Sequence, residues 1–238
     1  MGIDVSLAKV VTFNAQHEHR VVTDPARPIP FTKAGAVEVV SVFARKTTRQ
    51  DNDDGNPLIY ALKGKFGYTI PAGDFREIYR RAMIILPTAL ADRQINMIVP
   101  LPSSSGVART LAERVNRLMP KAELYECLDK ATIGAVLPNM PAASAVPVRL
   151  RSDYTSLLRA LQTSNPGTEI QMKQIKLPLR RYVAPIVAGI GAEVCKGRAI
   201  LLVDDIFGSG SSLQSAGEAL SRFKPAAVSG LTLLGRLS

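Results

Sequence analysis

The stretch that most constrains this chain is residues 201–213, LLVDDIFGSGSSL. Residues 199–203, AILLV, form a continuous apolar run, as in a strand buried on both faces. Two adjacent carboxylates, Asp204 and Asp205, follow at once. A Gly/Ser loop, residues 208–212, comes next. Leu213, Ala216, Leu220 and Phe223 then recur with a helical period, and residues 228–234 read as another strand. Strand, tight loop, helix and strand in that order are the repeating unit of a parallel α/β sheet.

The same grammar appears once more upstream. Residues 96–101, NMIVPL, read as a short apolar strand, and residues 102–106, PSSSG, as a tight loop. Val107, Leu111, Val115 and Leu118 then mark one face of a helix, and residues 122–128 are predicted to be a strand. Elsewhere residues 37–44 and, more weakly, 10–13 read as strands. Asp74 with Glu77 three residues on suggests a capped helix whose apolar stripe is Phe75, Ile78, Ala82 and Ile85, with Pro87 kinking or ending it. The turn cluster 51–57, DNDDGNP, suggests a boundary between an N-terminal β-rich segment, 1–56, and an α/β domain, 57–238. Residues 129–152 show no clear period, as in a functional or mobile loop. Residues 154–162 read as a short helix, 164–168 as a turn, and 182–194 as a helix weakened by Pro185 and two glycines.

Composition narrows the class. The chain has 238 residues, 46% of them hydrophobic and 21% charged, enough to bury a full core. Two cysteines exclude a disulfide framework and a four-cysteine zinc site. Cys127 and Cys195 read as small core residues. There is no apolar run long enough to span a membrane and no signal-peptide pattern, so the expected compartment is the cytoplasm. His17 and His19 read as surface residues, and packing is the simpler role for Tyr154 and Tyr182. Thirty Lys and Arg against twenty Asp and Glu leave a net charge of +10, of which +5 lies in residues 151–198. Such a field favours an anion, whether a phosphorylated substrate, nucleic acid or an acidic membrane, although on charge alone a solvated basic surface is the simpler reading. The absence of Trp and the 5% aromatic content leave no evident base-stacking platform.

A glycine loop opening a helix is a phosphate cradle. Glycine lets the backbone approach closely, and the helix N-terminus points free N–H groups at the anion. An ordinary capped strand-to-helix turn is the simpler reading of such a loop. Two acids directly after a wholly apolar strand set this one apart, because they suit sugar hydroxyls or a hard cation beside the phosphate.

With those residues in view, LLVDDIFGSGSSL resembles the type I phosphoribosyltransferase signature. The resemblance implies an α/β fold, a parallel sheet flanked by helices with an N-terminal β-rich hood, and a site at the strand C-termini. It implies that Asp204 and Asp205 meet the ribose hydroxyls of phosphoribosyl pyrophosphate (PRPP) and help hold Mg2+. Gly208, Ser209, Gly210, Ser211 and Ser212 would hold the 5′-phosphate. Gly208 stands where a threonine is usual. The pyrophosphate loop would be Ser103, Ser104, Ser105 and Gly106. LIYALKGK (58–65), NMIVPLP (96–102), CLDKAT (127–132) and LPLRRYV (177–183) are similar to stretches of the ComF-like branch of that family, although residues 1–56 lack the cysteines of its zinc ribbon. Lys63, Lys130, Arg149 and Arg151 are candidate cationic contacts.

Three functions fit these observations. One is an enzyme that moves a 5-phosphoribosyl group from PRPP to a nitrogenous base. Another is a non-catalytic sensor that binds PRPP or a nucleotide and regulates a partner or nucleic acid; a homo-oligomer or a protein complex is compatible with each. A third is a nucleic-acid-associated accessory or defence protein that uses the basic segment, with Lys173, Lys176, Arg180 and Arg181 as its phosphate track.

Overall fold

A computed structural model describes residues 1–46 and 57–236. Residues 51–56 of the expected turn cluster lie outside the described residues. Five strands lie parallel in one sheet: β5 (Val37–Arg45), β6 (Met97–Pro100), β7 (Glu123–Leu124), β10 (Ala199–Ile206) and β11 (Ala227–Arg236). Their order across the sheet is β5-β11-β10-β6-β7. Two short strands, β3 (Val21–Val22) and β4 (Phe31–Ala34), pair antiparallel with the outer side of β5. β1 (Gly2–Val5) and β2 (Val11–Asn14) form a separate two-stranded ribbon.

Part of the N-terminal segment is therefore built into the central sheet. Its longest strand, β5, is hydrogen-bonded to β11 from Glu38 to Arg45 and belongs to the central sheet. The alternation of its side chains explains this. Val40 and Val42 enter one core and Val37 and Val39 the other, so both faces must be covered.

Helices cover the two faces. α1 (Pro57–Leu62), α2 (Ala72–Leu90) and α3 (Val107–Leu118) lie on one face, where Leu111, Ala112 and Val115 of α3 meet Ile98, Leu201 and Val203. α6 (Ser211–Ser221) lies on the other, where Leu213, Ala216 and Leu220 meet Met97, Val99 and Leu202. The chain leaves β6 through α3 toward β7, and leaves the adjacent β10 through α6 toward β11. Neighbouring parallel strands whose exits diverge leave a crevice beyond their C-terminal ends, where open α/β sheets bind ligands.

Several local expectations are corrected. Asp74 does not cap α2, which begins after Pro71; its carboxylate accepts a hydrogen bond from the Phe13 N–H at 2.9 Å and ties β2 to the helix. Ile78, Ala82 and Ile85 are buried, but Phe75 is exposed, as is Leu118 at the end of α3. Pro87 lies within α2, which continues to Leu90; so near the helix end, its missing N–H removes a bond from the last turn only. The strand expected over 122–128 is two separate pieces. After β7 the chain leaves the sheet, and β8 (Leu128–Lys130) pairs antiparallel with β9 (Ile186–Ala188).

Residues 131–183 build a covering layer with its own core, centred on the fully buried Tyr154. α4 (Ile133–Val136) and α5 (Val148–Gln162) belong to it, so the expected irregular stretch 129–152 holds short helical pieces that bury Ala131, Ile133, Val136 and Val146. The Tyr154 hydroxyl donates to the Pro141 carbonyl at 2.6 Å, and its ring meets Tyr182 edge-on at 5.5 Å. The helix expected over 182–194 is replaced by β9 between two 3-10 turns. Gly189 and Gly191 explain the difference. A side chain at Gly189 would collide with the Asp129 carboxylate, and Gly191 sits at φ 82° against the Tyr125 hydroxyl. Ser215 ties β9 to α6, bonding both the N–H and the carbonyl of Ile186.

Candidate functional site

β6 stops at Pro100, which pairs with Val203. β10 runs on through Asp204, Asp205 and Ile206 beside β11 alone, with Asp204 opposite Thr232 and Ile206 opposite Leu234. The sequence pattern places the two acids beyond the strand. In the structure they are its last turn of pleat, projecting past the end of β6 at the crevice. Strand alternation sends them to opposite faces.

Asp205 is 4% exposed. Its Oδ2 lies 2.5 Å from Nζ of Lys63, just beyond α1. Asp204 is half-buried, and its Oδ1 accepts the Asp205 N–H at 2.8 Å. Burial, reinforced by the neighbouring Asp205 charge, pushes its carboxyl up from 3.8 to about 7, while the Asp205 N–H and Lys63 pull the other way. Its ionised form is therefore disfavoured, a cost that a bound cation would relieve.

The N-termini of α6 and α3 repeat one construction. α6 is capped by Gly210 at φ 79°, with no side-chain hydrogen bond to the cap. Ser209 and Ser211 bond each other through their hydroxyls at 2.8 Å. α3 is capped by Gly106 at φ 69°, again with no side-chain cap, and Ser103 and Ser105 bond each other at 3.0 Å. Ser105 is thus not the cap of α3. At the start of each helix the left-handed glycine turns the first amides outward, where the helix dipole favours an anion. Gly210 is required on two counts, because a side chain there would also press on Phe207 and Ala34.

Each of these helix starts opens on a cavity. One, of about 270 Å³, is lined by Lys63, Asp204, Asp205 and residues 206–213, with Met172 and Arg180 overhanging from the covering layer. The other, of about 350 Å³, is lined by Ser104, Gly106, Arg109, Lys130 and Glu169, among others. Pro102 and Ser103 line both, so the cavities adjoin.

The candidate residues thus fall into three groups. Lys63, Asp204, Asp205, Gly208, Ser209, Gly210, Ser211 and Ser212 line the first cavity. Ser103, Ser104, Gly106 and Lys130 line the second, with Lys130 bonded to Glu169 at 3.2 Å. Ser105, Arg149 and Arg151 line neither. Arg149 is exposed on α5, and Arg151 holds the carbonyls of Val146 and Ser144. Cys127 and Cys195 are buried with sulfurs 3.7 Å apart, and burial pushes the Cys127 thiol up to about 12.

Met172 and Glu169 join the site without any signal in the sequence, because their segments lack periodicity. Arg109 lies on the predicted helix α3, and Arg180 comes from the basic segment, but neither reads as part of this site in the sequence. Arg180 donates through Nε to the Ile175 carbonyl at 2.9 Å and lines the acidic cavity. Lys176 is bonded to Asp153 at 2.7 Å, and Arg181 lies over the Tyr182 ring.

No family model, curated protein or solved structure matches the chain.

Proposed function

We propose that this protein is a PRPP-dependent phosphoribosyltransferase, moving a 5-phosphoribosyl group to a nitrogenous base or similar acceptor with release of pyrophosphate. The observation that carries the reading is the pair of adjoining cavities, each headed by a glycine-capped helix N-terminus, with Asp204 and Asp205 at the rim between strand and loop. Two anion cradles flanking two sugar-binding acids suit a ligand phosphorylated at both ends of one ribose. The loop 208–212 would take the 5′-phosphate, Asp204 the ribose hydroxyls, and residues 103–106 the pyrophosphate.

The reaction needs no protein nucleophile. The ribose becomes cation-like as pyrophosphate departs, so catalysis rests on positioning and on stabilising the leaving charge. The N-terminus of α3, with Arg109 and Lys130 beside it, would supply that stabilisation. Met172 and Arg180 would cover the ribose and exclude water. The hard oxygen donors at the end of β10 fit Mg2+. Asp204 would hold it, since Lys63 already neutralises Asp205. The ion would screen the pyrophosphate charge.

One observation favours a second reading, a PRPP or nucleotide binder without turnover. Lys63 already engages Asp205, leaving only one carboxylate for ribose and metal together. Mass spectrometry of nucleotide co-purifying with the protein, then pyrophosphate release from PRPP with a panel of bases, separates the two. Release supports transfer. Tight binding without release supports the binder. Absence of both binding and release removes both readings.

The described residues contain no helix long and apolar enough to cross a membrane. The cations of the supposed nucleic-acid track are spread over separate partners, so the geometry lends that alternative no support.

A further inference from the structure

The ribbon β1–β2 lies outside the central sheet and leads into the chain's only two histidines. His17 and His19 follow β2 with one residue between them, so an extended backbone sends both side chains to the same side. Their rings stack at 3.8 Å, tilted by only 17°. Asp4, on β1, faces them, and its Oδ1 lies 3.0 Å from Nε2 of His17. One ligand atom from each of the three residues falls within 4.8 Å of the others.

We propose that Asp4, His17 and His19 form a binding site for a divalent transition-metal ion of the Zn2+ type.

The chemistry of the donors selects the metal. Two imidazole nitrogens and one carboxylate oxygen suit Zn2+ and its neighbours Co2+, Ni2+ and Cu2+, whereas Mg2+ and Ca2+ call for oxygen donors throughout. Three protein ligands leave a fourth position for water in a tetrahedral Zn2+ site. Zn2+ holds such donors at roughly 2.0–2.2 Å, so the trio, whose ligand atoms now lie within 4.8 Å of one another, must draw in and turn its stacked rings out of parallel around an ion.

The site has the backing that metal ligands require. Asn14 donates to the second carboxylate oxygen of Asp4 at 2.7 Å and aims the first toward the rings. The side-chain carbonyl oxygen of Asn14 is itself held by the Gln16 N–H at 2.8 Å. Such outer partners fix the orientation of ligating groups. The backbone is held as well. The Ile3 N–H donates to the His19 carbonyl at 3.3 Å, and any side chain at Gly2 would strike the backbone of His17 and His19. Gly2 thereby lets the two segments approach closely enough for Asp4 to reach both rings.

Ligation through Nε2 of His17 requires its proton to move to Nδ1. That step gives up the hydrogen bond to Asp4, replaced by the bonds both groups make to the ion, and the long 3.2 Å contact from the exposed His19 N–H, which water can accept instead. The site is 2-His-1-carboxylate in composition and distinct from the acids at the end of β10, so it stands whether or not the proposed transfer reaction does.

The test uses tag-free, metal-stripped full-length protein titrated calorimetrically with Zn2+ alone, and with Co2+ followed by visible absorption. One equivalent is expected to bind, with the absorption bands of low-symmetry, four- or five-coordinate Co2+. His17→Ala, His19→Ala and Asp4→Asn should each weaken Zn2+ by at least tenfold, and Asn14→Ala by roughly tenfold through the loss of orientation. A Cys127→Ser/Cys195→Ser variant should keep the full equivalent, which separates this site from the chain's two thiols. His19 is exposed, so His19→Ala carries the test should His17→Ala melt early. No Zn2+ binding by the parent, or undiminished binding by His19→Ala, overturns the proposal.

Discussion

Lys63 and Asp205 meet at 2.5 Å in the wall of the acidic cavity, joining the end of α1 to the end of β10 across 142 positions of sequence. Both are largely shielded from water. The pair holds one carboxylate of the acidic doublet in place and leaves the other to face the cavity.

Breaking this pair should cost more than removing it. Lys63→Met leaves a buried, uncompensated Asp205 charge, and losses of roughly 3–5 kcal/mol are typical. Lys63→Met combined with Asp205→Asn should recover most of that loss. Chemical denaturation of the parent, both single variants and the double variant gives the coupling directly. Additive losses would show that the contact contributes little. Asp205→Asn alone should also lower stability, because it strands the ammonium group.

Asp204 predicts a stability that falls with rising pH. Its carboxyl is raised in the folded chain from 3.8 to about 7. Below pH 4 it is protonated in both folded and unfolded chains. Between pH 4 and 7 the unfolded chain ionises first, the folded chain binds more protons, and stability declines; above pH 7 the full cost is present. Asp204→Asn should therefore gain stability relative to the parent across pH 4–7, with the difference levelling off above. Denaturant midpoints at half-unit steps measure it. A pH-independent difference would remove the strained carboxylate. On the proposed function, Mg2+ with PRPP should also release protons near pH 6.5, measurable as a buffer-dependent binding enthalpy.

The loop glycines separate by physics. Nothing lies within 4 Å of a Cβ at Gly208, whereas Gly210 has φ 79° and crowds Phe207. Gly208→Thr should fold normally. If the loop holds a phosphate, the added hydroxyl should tighten ribose 5-phosphate by about 1.5 kcal/mol, roughly tenfold. Gly210→Ala should lose about 1–3 kcal/mol of stability from its forced left-handed backbone. Weaker binding by Gly208→Thr, measured calorimetrically, would argue against a phosphate there.

Arg180 distinguishes a small-molecule site from a nucleic-acid track. A ligand at about 100 times its dissociation constant stabilises the folded chain by about 2.7 kcal/mol, readable as a thermal shift. PRPP with Mg2+ should shift the parent, and Arg180→Ala should lose most of the shift while Lys173→Ala keeps it. Equal losses in both variants, together with oligonucleotide binding that falls linearly in log salt, would favour the track.

Much of the sheet was legible in the residues themselves. The apolar runs of β6 and β10, the helical period of α3 and α6, and the Gly/Ser loops between them are local patterns, and the structure keeps them nearly in register. Glycine at Gly106 and Gly210 is likewise a local demand of a left-handed backbone. The short pairings were not legible. A strand of two or three residues, such as β7 or β9, carries too little alternation to distinguish it from loop, and only a partner strand gives it an identity. Residues 122–128 therefore read as one strand but serve two sheets.

The sequence alone determined that two strand–loop–helix units exist and that one of them ends in a pair of acids. Tertiary structure decided what those acids face. Lys63, Arg180 and Met172 come from segments with no periodic signature, and they reach the cavity of Asp204 and Asp205 only because α1 and the covering layer pack at the same end of the sheet. Tertiary structure also gave residues 131–183 a core of their own and drew His17, His19 and Asp4 together. Local patterns record the interactions a residue makes with its neighbours in the chain. Contacts across a hundred or more positions depend on which faces pack, and that follows from burying both sides of one sheet at once.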